Sequence, residues 1–100
     1  MNEAALLKTT LDHVRPKLPN QVTQLRYKLG VDSTGDEAIW VWVEMPDNAP
    51  DTVWSWESRE KMRDTIRLAI EAAGLEPWVY VRFAESENGA DHLADARSAA

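Results

Sequence analysis

Residue types that do chemistry are sparse in this chain, and their spacing does not bring them together. The histidines are His13 and His92, one in a helical pattern and one near the C-terminus. Neither has a partner at metal-ligand spacing, so both read as plain polar residues. Ser55 and Ser58 have no histidine nearby in sequence and read as helix caps rather than nucleophiles. Cysteine is absent, which removes disulfides, thiolate metal sites and thiol catalysis. The stretch "GVDSTGDE" resembles a phosphate loop only in its glycines, since it lacks the lysine and leads into a strand. Asp32, Asp36 and Glu37 within it could gather a hard divalent cation, but a solvated acidic turn is the preferred reading. No catalytic residue, cofactor or metal is therefore assigned, and a non-enzymatic role is expected.

The unusual chemistry is aromatic. "AIWVWVEMP", residues 38–46, alternates like a strand with Trp40 and Trp42 on one side and Ile39, Val41, Val43 and Met45 on the other. Five tryptophans in 100 residues is several times the ordinary frequency. A chain this short buries only about 60–65% of its extended surface, so one compact core with a sheet and one or two helices is expected.

Around that strand the hydrophobic spacing sets the elements. Ala4, Leu7, Leu11, Val14 and Leu18 fall three and four apart, which predicts a helix over about 3–15, ended by Pro16 through its bias on Arg15. "VTQLRYKLGV" alternates, with Leu25, Tyr27, Leu29 and Val31 opposite Gln24, Arg26, Lys28 and Gly30. The turn-forming "DSTGDE" joins it to the tryptophan strand as a β-hairpin. Met62, Ile66, Ala69, Ile70 and Ala73 predict a helix over about 56–73, capped by Asp51, Ser55 or Ser58 and stopped by Gly74. "EPWVYVRFA" predicts a third strand, with Val79, Val81 and Phe83 on one face and Trp78, Tyr80 and Arg82 on the other. The expectation is one α+β domain over 1–84, order α-β-β-α-β, and a flexible acidic tail over 85–100 in which Leu93 leaves room for a short helix. Which earlier strand the third one joins is left open. This order of elements is similar to that of BolA and K-homology-like domains, and the resemblance extends to element order alone.

Assembled, one sheet face is apolar and takes the second helix. The other carries Arg26, Lys28, Trp40, Trp42, Glu44, Trp78, Tyr80 and Arg82. Three uses follow for such a face. The first helix could cover all or part of it, giving a helix-sheet-helix sandwich. It could dock a protein partner or a second copy, since Trp, Tyr and Arg dominate interface hot spots. It could stack single-stranded nucleic acid, which the net charge of −6 disfavours.

The expected function is a protein-binding module, an accessory or neutralising subunit of the antitoxin or inhibitor kind, with Trp40, Trp42, Trp78, Tyr80, Arg26, Lys28 and Arg82 as binding residues. The alternative is a single-stranded nucleic-acid-binding domain stacking bases on Trp40, Trp42, Trp78 and Tyr80. Seven carboxylates and no Lys or Arg lie between Asp32 and Glu57, which suggests a basic partner for that segment, although a homodimer would also satisfy the aromatic face. No run is long and apolar enough for a membrane span and the N-terminus lacks signal-peptide character, so a cytoplasmic location without membrane partners is expected.

Overall fold

The computed structural model describes residues 2–85, so the expectations for the tail and Leu93 lie outside the described residues. Helix α1 spans Glu3–Val14, and the side chain of Asn2 caps it by accepting the Ala4 N–H at 2.8 Å. Arg15 stays helical at φ −51° and ψ −44°, contrary to the expected effect of Pro16. The chain instead tightens into one 3-10 turn over Arg15–Lys17, with Pro16 in its first turn, where a missing N–H costs nothing.

Strands β1 (Gln24–Val31) and β2 (Glu37–Met45) form the antiparallel hairpin, paired from Gln24↔Glu44 to Val31↔Glu37. A four-residue helix α2, Asp51–Trp54, follows, and its Trp54 indole donates to the Pro46 carbonyl at 3.3 Å. Ser55 then breaks the helical path and caps α3 (Trp56–Ala72) by accepting the Ser58 N–H at 3.2 Å. Helix α3 ends at Gly74, whose φ of +89° is open to glycine at little cost. Strand β3, Trp78–Glu85, joins β2 in parallel, from Ala38↔Trp78 to Met45↔Glu85. The sheet order is β1-β2-β3, with β2 in the centre. Parallel neighbours need a long crossover, which α2 and α3 supply.

Both long helices lie on one face of this sheet. Leu7, Leu11 and Val14 of α1 and Met62, Ile66 and Ile70 of α3 join Ile39, Val41, Val43, Val79 and Val81 in a single buried cluster. Leu18, below the end of α1, completes it. The expected cover of the tryptophan face by the first helix is therefore not found, whole or in part. The core face needs both helices because three strands present more apolar width than one helix can cover. Tyr27 and Val31 stay exposed on this face, since β1 is an edge strand and Val31 sits at its turn end. No helix among the described residues is long and apolar enough to cross a membrane.

Candidate functional site

Register places the residues of the other face in rows running across β1, β2 and β3. Lys28, Trp40 and Tyr80 make one row, and Arg26, Trp42 and Arg82 the next. Trp40 is thus held between its two cross-strand neighbours. Its ring stacks on Tyr80 at 5.6 Å and 20°, and the Lys28 ammonium lies 5.4 Å from its centroid. The Arg26 guanidinium lies 5.4 Å from the Trp42 centroid, while its Nε donates to the carboxylate of Glu44, a nearly buried side chain.

Two small residues and one acid fix this arrangement, none of them among the expected binding residues. Gly30 sits on the tryptophan face, and a Cβ there would come within 3.2 Å of the Trp40 ring, so glycine makes the slot over which the indole leans. Ala38 is only 1% exposed although no helix covers it. Tyr80 starts on β3 and its hydroxyl donates to Asp32 beyond the end of β1, at 3.1 Å, a path that crosses β2 near Ala38. Alternation already put Gly30 and Ala38 among the bulky residues, and that contrast in size was the available signal.

Asp32 organises the hairpin turn as well. It accepts from the Thr34 hydroxyl at 2.6 Å and from the N–H groups of Thr34 and Asp36 at 2.9 and 3.1 Å. The Thr34 hydroxyl leads these bonds in holding the Asp32 carboxyl below its ordinary pKa, and the bond to Asp32 raises that of Tyr80. Asp32 is thus engaged in tying a turn. Among the described residues no group of three histidine, aspartate or glutamate side chains could hold a metal ion.

Six of the seven expected binding residues share this face: Arg26, Lys28, Trp40, Trp42, Tyr80 and Arg82. Trp78 departs from them. It opens a strand that is at the sheet edge among the described residues, and the residue is 57% exposed, with the Arg67 guanidinium of α3 at 4.8 Å. The acidic segment is also divided. The run of β2 from Glu37 to Met45 separates Asp32, Asp36 and Glu37 from Asp47 and Asp51 by about 26 Å, and Glu44 between them is paired to Arg26. Comparison with protein-family models, curated proteins and solved structures found no match.

Proposed function

We propose that this protein is a small binding module, an accessory or neutralising subunit that docks a protein partner on the sheet face of Trp40, Trp42 and Tyr80. The observation that carries this is the Lys28–Trp40–Tyr80 row, a half-buried aromatic surface with no helix packed over it, already held in one geometry by cross-strand contacts. Rings ordered before encounter lose little entropy on binding, which is what a hot spot needs. The charge is suited to a partner with acidic groups, because Arg26, Lys28 and Arg82 surround the rings and the carboxylate of Glu44 is spent on Arg26. Two copies face to face would oppose these cations, which disfavours a homodimer through this face. A reducing cytoplasmic setting agrees with a chain free of cysteine.

Base stacking is the poorer reading of the same face. Trp40 already has Lys28 and Tyr80 against it, and a nucleobase would have to displace one of them.

Trp42→Ala tests the proposal. With both helices on the far face, the variant should keep its circular dichroism. Affinity capture from native lysate with wild-type and variant baits should identify a partner bound only by wild type. Its dissociation constant should then weaken about thirtyfold, the equivalent of about 2 kcal/mol, in the variant. Loss of fold in Trp42→Ala would make the face structural, and salt-sensitive binding of single-stranded RNA through Trp40 and Trp42 would favour the nucleic-acid reading.

A further inference from the structure

A second surface lies at the outer edge of β3, in a groove of 630 Å3 between the C-terminal half of α3 and the start of β3. Its shape comes from the end of α3. The Gly74 N–H donates to the Glu71 carbonyl at 2.9 Å and the Leu75 N–H to the Ile70 carbonyl at 3.3 Å, which folds the connector back toward Trp78. Buried Leu75 and Val79 line the groove together with two large exposed apolar residues, Leu68 at 63% and Trp78 at 57%. Leu68 stands apart from the core stripe of α3, and an apolar residue left in water beside a tryptophan marks a contact surface.

The charges around it are one-sided. Asp64, Leu68 and Glu71 lie on one stripe of α3, so the exposed leucine has a carboxylate one turn before it and another one turn after it. Glu76 in the connector adds a third. Among the described residues Arg67 is the lone cation lining the groove, and it is drawn to one end, where its Nε donates to the Val79 carbonyl at 3.2 Å and its guanidinium lies against Trp78.

We infer that this groove docks a basic, apolar segment of a protein partner, with an apolar side chain on Leu68, Leu75 and Trp78 and flanking Lys or Arg beside Asp64, Glu71 and Glu76. Three carboxylates against one guanidinium supply the charge complementarity. Arg67 on Trp78 shows within the chain that this indole accepts a guanidinium. A second copy fits poorly, because a net charge of −6 opposes bringing two such rims together.

Fluorescence anisotropy with labelled ten-residue peptides tests this: one alternating Arg and Leu, one alternating Glu and Leu, and one alternating Ser and Leu. The Arg–Leu peptide should bind and the other two should not. Glu71→Lys and Trp78→Ala, checked for fold by circular dichroism, should each weaken it at least tenfold, with Leu68→Ser as the apolar test should Trp78→Ala fail to fold. Trp42→Ala should leave this affinity unchanged, which separates the groove from the sheet face. Equal binding by the groove variants would reduce the effect to bulk charge and overturn the inference. So would preference for the Glu–Leu peptide, or self-association in sedimentation that Glu71→Lys abolishes.

Discussion

Arg26→Met should be among the most costly substitutions on the open sheet face, although Arg26 lies on the side of the sheet opposite the core. Its Nε donates to Glu44, whose side chain keeps 8% of its exposure against 23% for that of Arg26. Removing one member of a fully buried ion pair costs about 3–5 kcal/mol, chiefly by stranding the other charge. The residual exposure of this pair lowers that to about 2–3 kcal/mol, or roughly 10–20 °C in melting temperature for a domain this size. The cost should depend on Glu44. In a Glu44→Met background no carboxylate is left stranded, and Arg26→Met should then cost only the contact with Trp42, about 0.5–1 kcal/mol. Urea unfolding of wild type, the two single variants and the double variant supplies the cycle. A cost below about 0.5 kcal/mol for Arg26→Met, or the same cost in both backgrounds, would refute the claim that Glu44 depends on Arg26.

Other perturbations test the helices and the turn. Ile66→Ala, at a fully buried position of α3, should destabilise by about 2–5 kcal/mol in the same urea assay. Gly74→Ala should cost about 1–2 kcal/mol, since φ of +89° strains any side chain although the space there is open. Asp32 has its pKa lowered by the Thr34 hydroxyl and its companion bonds, so its contribution is present above the unfolded value near 3.8 and is lost as pH falls through the folded one. The stability gap between wild type and Asp32→Asn should therefore narrow between pH 5 and pH 2, and an unchanged gap would show that the bonds to Asp32 do not act through its charge.

The elements of this protein are local properties, which is why they were legible. Alternation over Gln24–Val31 and Glu37–Met45 around a turn-forming sextet can bury one face only as a hairpin. The stripe of Met62, Ile66 and Ile70 ending before Gly74 fits only a helix with an apolar side. That alternation also put Trp40, Trp42, Arg26, Lys28, Tyr80 and Arg82 on one face, because side-chain direction in a strand has a period of two.

What the sequence left open was decided by packing between distant segments. Strand β3 joined β2 in parallel because α2 and α3 carry the chain back along the sheet, and α1 joined α3 because the core face of three strands is wider than one helix. The same placement uncovered the tryptophans. Trp78 shares the period of Tyr80 and Arg82 but turned to Arg67, a residue eleven positions away in sequence that only the crossover brings to the β3 edge. Asp32 and Tyr80 met across 48 residues for the same reason. Sequence periodicity determined which side chains share a face. Only the tertiary structure decided which face stays open, because that depends on where whole helices come to rest.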